Sequence, residues 1–144
     1  DITSLRFANV VGPTSYHKKG AVTAFLKAII NNHPIEIYGD GTATRDYLHV
    51  NDLCNGIVLA MKSKKCGYNV YHLASGKETS VKALASEIIR ATEKKKHKII
   101  YHDKRVGEVE RNFATYGLAK REIGFKPKHT LKSAILDTYH SFLK

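Results

Sequence analysis

The stretch from Val22 to Asp52 constrains the fold of this chain more than any other. Val22, Phe25, Leu26, Ile29 and Ile30 fall on one face of a helix. Asn32 and Pro34 end that helix. Ile35-Glu36-Ile37-Tyr38 then alternates with a period of two and stops at a Gly39-Asp40-Gly41 turn. Arg45 follows the turn, and a short extended run covers Asp46 to Val50. Asn51 or Asp52 is placed to cap a helix with Leu53, Ile57, Ala60 and Met61 on its apolar side. A chain that changes period this often over such short distances is committed to an α/β fold.

The remaining segments continue the alternation. Residues 4–8 read as a buried strand running into Gly12-Pro13, and 14–20 as a polar loop. Tyr68 to Leu73 is a strand, and Ser80 caps a helix that carries Val81, Leu84, Ala85, Ile88 and Ile89 on one face. Ile99-Ile100-Tyr101 is a further strand. Thr115 and Thr130 are placed to cap two closing helices, the second with Leu131, Ala134, Ile135, Thr138 and Phe142 on one side.

At 144 residues and 42% hydrophobic content the chain can bury a real core, and one domain is the expectation. No apolar run reaches membrane-spanning length, and no signal-peptide pattern opens the chain. It starts on Asp1 and its only methionine is Met61, so it reads as part of a longer protein. The net charge of +11, from 24 basic and 13 acidic residues, favours anionic partners or a solvated basic surface. The run Lys94-Lys95-Lys96-His97-Lys98 follows a helical pattern, where cations suit the helix end, and has no interleaved aromatics to stack on bases. Cys54 and Cys66 are not in metal-type spacing, no His/Cys cluster occurs, and no metal site is expected. Such sparing use of cysteine suits a reducing cytoplasm.

Several residues carry binding chemistry. Arg45 presents a planar fork of donors that suits paired phosphate oxygens, or it pairs with Asp40 or Asp46 to stiffen the turn. Arg105-Val106-Gly107-Glu108 sets an arginine and a carboxylate around a glycine: phosphate and ribose-diol ligands, or a surface ion pair. Asn9 follows a core strand, where its amide suits sugar hydroxyls or a phosphate oxygen, or satisfies its own turn. Ile35 and Tyr38 bracket a strand that walls a base or fills core. Tyr47 and His49 read as structural residues or as supports for others. Tyr16, His17, Lys18 and Lys19 form a basic loop that tunes substrate choice or is simply solvated. No G-x-G-x-x-G fingerprint occurs. Tyr116 has Lys120 four residues on, a spacing read as chance.

Taken in order, four motifs resemble one family: Arg6-Phe7-x-Asn9-Val10-x-Gly12-Pro13, Tyr38-Gly39-Asp40-Gly41-x-x-x-Arg45-Asp46-Tyr47, His49-Val50-x-Asp52 and Arg105-x-Gly107-Glu108. The resemblance runs from Leu5 to about Pro127, where Gly124-Phe125-Lys126-Pro127 matches a closing turn. It is to the C-terminal, substrate-binding portion of the extended short-chain dehydrogenases/reductases, the NAD-dependent nucleotide-sugar epimerases and dehydratases. Within these it is most similar to the UDP-sugar 4-epimerase branch, with Val11 departing from a frequent tyrosine.

The resemblance implies an α/β substrate-binding lobe over 1–144, with the last elements of a Rossmann-type domain and without the NAD fingerprint. It implies a UDP-sugar ligand. Asn9, Arg45 and Arg105 would hold the diphosphate and nearby groups, Glu108 the ribose, and Ile35 and Tyr38 the base. NAD and a catalytic Tyr-x-x-x-Lys would sit in an N-terminal domain of the same protein, so no catalytic or cofactor-binding residue is expected in this chain, and the chain alone would be inactive. The intact protein would be a cytoplasmic homodimer that epimerises C4 through a transient 4-keto sugar. This chain alone would expose an apolar edge and associate. Two alternatives stand beside this: a nucleotide-sugar dehydratase or decarboxylase of the same superfamily, and a non-enzymatic basic nucleic-acid-binding module.

Overall fold

In the computed structural model, residues 1–94 and 96–144 are described; Lys95, inside the basic run, lies outside them. In chain order the first half holds β1 (Ile2–Phe7), β2 (Asn9–Val11), α1 (Ala21–Ile30), β3 (Ile35–Tyr38), β4 (Thr44–Arg45), β5 (Tyr47–His49) and α2 (Val50–Lys62). The second half holds β6 (Tyr68–Leu73), β7 (Thr79–Ser80), α3 (Val81–Ala91), β8 (Ile99–His102), β9 (Arg111–Asn112), α4 (Gly117–Ile123) and α5 (Leu131–Phe142).

Three parallel strand pairs form the frame. β1 runs beside β6 from Ile2 opposite Tyr68 to Phe7 opposite Leu73. β2 runs beside β5, and β3 beside β8. A small sheet places β4 between β7, antiparallel, and β9, parallel. Parallel pairs need crossover connections, and the helices supply them.

Two apolar clusters result. Phe25, Leu26 and Ile29 of α1, Ile35 and Ile37 of β3, Leu84 and Ile88 of α3 and Ile135 of α5 form the first. Leu48, Leu53, Tyr71, Leu73, Ala119, Ile123 and Phe125 form the second. β5 joins them: Tyr47 packs against the first cluster and Leu48 lies in the second, as the period of a strand requires. Fully burying a side chain such as Leu26 or Leu73 contributes about 1.5–3 kcal/mol.

Helix ends follow local chemistry, with two corrections to the sequence reading. The cap of α2 is neither Asn51 nor Asp52 but His49, whose Nδ1 accepts the Asn51 amide at 3.1 Å. Asp52 is engaged elsewhere, accepting the amides of Lys128 and His129 at 3.1 and 2.9 Å. Likewise Thr115 does not cap α4; Tyr116 holds that position without a side-chain bond. Ser80 caps α3 through the Ala83 amide, and Thr130 caps α5 in a reciprocal box with Ser133. Gly124 closes α4 in the left-handed region at φ 72°, which delivers Phe125 into the second cluster.

β1 pairs on one side only, with β6, among the described residues. Ile2, Phe7 and Tyr68 are more than half exposed, as is Met61 on α2. No helix among the described residues is long and apolar enough to cross a membrane.

Candidate functional site

A cavity of about 500 Å³ opens where β2, the start of α1, the outer face of β3, the end of β4 and the 105–108 loop converge. Asn9, Tyr38, Arg45, Arg105 and Glu108 all line it, so five of the six residues singled out in the sequence meet in one place. Ile35 does not. It is fully buried in the first cluster, because the period of β3 turns Ile35 and Ile37 inward and Glu36 and Tyr38 outward. Its expected place against a base is therefore corrected to a core position.

Arg45 is held by its neighbours without being neutralised. One guanidinium nitrogen donates to the Thr44 carbonyl at 2.7 Å, and the other lies 3.8 Å from Glu108 Oε1. Neither Asp40 nor Asp46 pairs with it. Asp40 instead accepts the Thr42 hydroxyl at 2.6 Å and amide at 2.9 Å, and these bonds hold its carboxyl below the usual range. Asp46 is 1% exposed and accepts the Ser75 amide, the Ser75 hydroxyl and the Gly76 amide. Its own carbonyl accepts both the backbone and the side-chain amide of Asn9, at 3.0 and 3.1 Å. Asp46 thus fixes Asn9 at the cavity wall from behind.

β4 is pinned from its far side. Glu78 receives two bonds from Arg111, at 2.7 and 3.0 Å, and one from the Thr44 hydroxyl at 2.5 Å. The Arg111 bonds, then the Thr44 bond, lower the Glu78 carboxyl. The turn before β4 needs Gly41: its φ is +73°, and a Cβ there would sit 3.1 Å from Lys82 Cβ and 3.3 Å from Ile37.

Arg105 lies over the Tyr38 ring, 3.6 Å from its centroid, and Tyr38 stacks on His102 at 5.1 Å. Tyr47 lines the cavity too, and burial pushes its hydroxyl up to about 12 against the opposing pull of Arg45.

Three contributors escaped the sequence reading as cavity residues. Lys18 and Lys19, in the loop best read as solvated, line the cavity. So does the start of α1, where Gly20 offers no side-chain cap and the first turn holds no acidic residue. The first helical bond there runs from the Ala24 amide to the Gly20 carbonyl, so the amides of Ala21, Val22 and Thr23 have no helical acceptor. Glu36 is the third, and its period-two partnership with Tyr38 was the available signal. Four cationic side chains and a helix N-terminus face two carboxylates, so the lining carries a net positive charge that suits an anion.

Comparison with known proteins is consistent with this geometry. Residues 1–74, more than half of the chain, match the model of the NAD dependent epimerase/dehydratase family. A putative UDP-glucose 4-epimerase of Methanocaldococcus jannaschii is 32% identical over 133 residues, covering 91% of this chain and 42% of that protein. A dTDP-glucose 4,6-dehydratase of an Actinoplanes species is 28% identical over 138 residues, covering 96% of this chain and 42% of that protein. The crystal structure of UDP-glucose 4-epimerase with UDP-glucose from Thermotoga maritima superposes with a TM-score of 0.88 at 31% identity, covering 98% of this chain and 45% of that one. The chain spans less than half the length of these relatives.

Proposed function

Because this chain belongs to the NAD dependent epimerase/dehydratase family, we propose that it is the nucleotide-sugar-binding portion, residues 1–144, of a longer UDP-sugar 4-epimerase. The observation that carries the reading is the convergence of Asn9, Lys18, Lys19, Arg45 and Arg105 on one cavity at an uncapped helix N-terminus. The diphosphate lies against Arg45 and the α1 amides, where fork geometry and the helix dipole both favour it. Arg105 completes the clamp from its loop. Glu108, relieved of Arg45 by the phosphate, accepts the ribose hydroxyls. Tyr38 offers a flat face to the base. Holding the nucleotide end tightly leaves the sugar free to turn, which a change of configuration at C4 requires.

In this reading NAD and the proton-transferring residues belong to an N-terminal domain, this chain alone is inactive, and the longer protein is a cytoplasmic homodimer. The one-sided pairing of β1 and the exposed Ile2, Phe7 and Tyr68 support such a domain, since parallel strands are ordinarily covered and flanked. The matching dehydratases favour a second reading, sugar dehydration on the same nucleotide anchor; product analysis of the longer protein separates them, because a dehydratase releases water.

Calorimetric titration of the chain with UDP tests the anchor. UDP is expected to bind, and Arg45→Ala to weaken it by about 1.5–3 kcal/mol. Unchanged affinity in a variant with native circular dichroism overturns the assignment. Tight, salt-dependent binding of mixed oligonucleotides without UDP binding would replace it with a nucleic-acid module.

A further inference from the structure

The first turn of α2 rests on an imidazole. His49 is the last residue of β5 and the cap of α2, and its Nδ1 accepts the Asn51 amide at 3.1 Å. A ring nitrogen that accepts carries no proton, so the neutral ring holds its single proton on Nε2. That atom is buried, lies 3.3 Å from Asp137 Oδ2 on α5, and makes no well-aligned hydrogen bond among the described residues. His129 stacks on the same ring, 4.0 Å between centroids and 13° from parallel. Its Nδ1 lies 3.0 Å from Asp52 Oδ1, and Asp52 stands in the first turn of α2. The charged and titratable groups facing His49 are His129 on the segment before α5, Asp137 on α5 and Asp52 on α2. The paired strand β2 brings Asn9, Val10 and Val11 and no charge.

The two imidazoles respond to acid differently. His129 takes a second proton at Nε2 and keeps its Nδ1–H on Asp52, so it loses no bond. His49 can take its second proton only at Nδ1, the atom that accepts the Asn51 amide. Charging it sets N–H against N–H and strips the cap. Two charged rings stacked face to face would also repel. We propose that His49 is a proton-operated cap, which holds the first turn of α2 when neutral and releases it when charged. The release reaches beyond one bond, because Asp52 in that turn accepts the amides of Lys128 and His129, which lead into α5. One proton thus loosens two helix starts together. Asp137 is the counterweight, since its half-exposed carboxylate favours the charged ring. The device stands apart from the cavity and does not depend on what the cavity binds.

NMR of the imidazole nitrogens reports when His49 Nδ1 gains its proton, and amide hydrogen exchange reports the cap. Both are followed on the chain as the pH is lowered from about 7 to about 5. The protection factor of the Asn51 amide is expected to fall about fivefold or more in step with protonation of Nδ1, while Leu59, farther along α2, stays protected. His49→Asn keeps an acceptor that does not titrate and is expected to leave Asn51 protection flat over the same range. Asp137→Asn spares the core, because the side chain is 50% exposed, and is expected to move the transition to lower pH by removing the favourable charge. Protonation of Nδ1 with Asn51 still protected overturns the proposal. Loss of protection at Asn51 and Leu59 together does so too, because that is unfolding of the whole chain. A fall at Asn51 that persists in His49→Asn has the same consequence.

Discussion

Asp46 offers the sharpest test of how the site is held. Its carboxylate is almost wholly buried and receives three bonds: Oδ1 from the Ser75 amide at 3.0 Å and the Ser75 hydroxyl at 2.6 Å, and Oδ2 from the Gly76 amide at 2.9 Å. In the Asp46→Asn variant the side chain keeps its shape but has only one acceptor oxygen. The better orientation keeps the two Ser75 bonds and turns the amide nitrogen toward the Gly76 N–H, donor against donor. Leaving that buried donor unsatisfied costs about 1–3 kcal/mol. The two surviving bonds lose their charge assistance, for about 1 kcal/mol more. Asp46→Asn is therefore expected to destabilise the fold by about 2–4 kcal/mol. Asp46→Ala should cost more, because three donors then lack an acceptor. Urea denaturation followed by far-UV circular dichroism measures both, with the slope as a check on two-state behaviour. Stability is expected to fall from the unaltered chain to the asparagine variant and again to the alanine variant. An asparagine variant within about 0.5 kcal/mol of the unaltered chain would refute the view that this carboxylate ties the 75–76 turn to the strand behind the cavity.

Two further outcomes follow from the packing and the charges. Burial, with His129 stacked beside it at 4.0 Å, lowers the His49 imidazole below its ordinary 6.5, against the pull of Asp137 and Asp52. The unfolded chain then takes up that proton first, so stability is full above pH 6.5 and falls as the pH drops below it, until folded His49 titrates. Burial raises the Asp52 carboxyl, but the bonds from His129 and Lys128 outweigh it; that contribution is present above 3.8 and is lost only as the pH falls through the lower folded value. Urea midpoints should decline from pH 7 to 5 and flatten in His49→Gln; an unchanged slope in the variant would assign the decline to another group. Gly56→Ala gains about 1 kcal/mol of helix propensity. However, its Cβ would lie 2.8 Å from Leu73 Cδ1 and 3.0 Å from Phe125 Cδ2, both fully buried. Overpacking of about 1–3 kcal/mol should win, so a melting temperature above that of the unaltered chain would show that the second cluster yields more than its packing implies.

Elements that rest on a local period were legible before any coordinates. The strand Ile35–Tyr38, the helix face of Leu84 and Ile88 and the caps at Ser80 and Thr130 each depend on residues within a turn or two. The six site residues came from short motifs, and five of them share a cavity because the parallel pairs β2–β5 and β3–β8 bring their segments together. What depended on distant partners was not legible. Asp46 and Asp52 had plausible nearby roles, as partner of Arg45 and as helix cap. Closure of the chain gave them Ser75 and Gly76 in one case and Lys128 and His129 in the other. Lys18 and Lys19 became cavity residues because the loop that carries them, with Tyr16 packed on Phe142 of α5, borders the same cavity as β3 and the 105–108 loop. Sequence alone determined the five helices and the strands β1, β3, β5, β6 and β8, though not the short strands β2, β4, β7 and β9, and where an arginine fork follows a glycine turn. Tertiary structure alone decided which buried carboxylate meets which amide, because a hydrogen bond is specific over about 3 Å whereas the residues it joins are separated here by 29 to 77 positions.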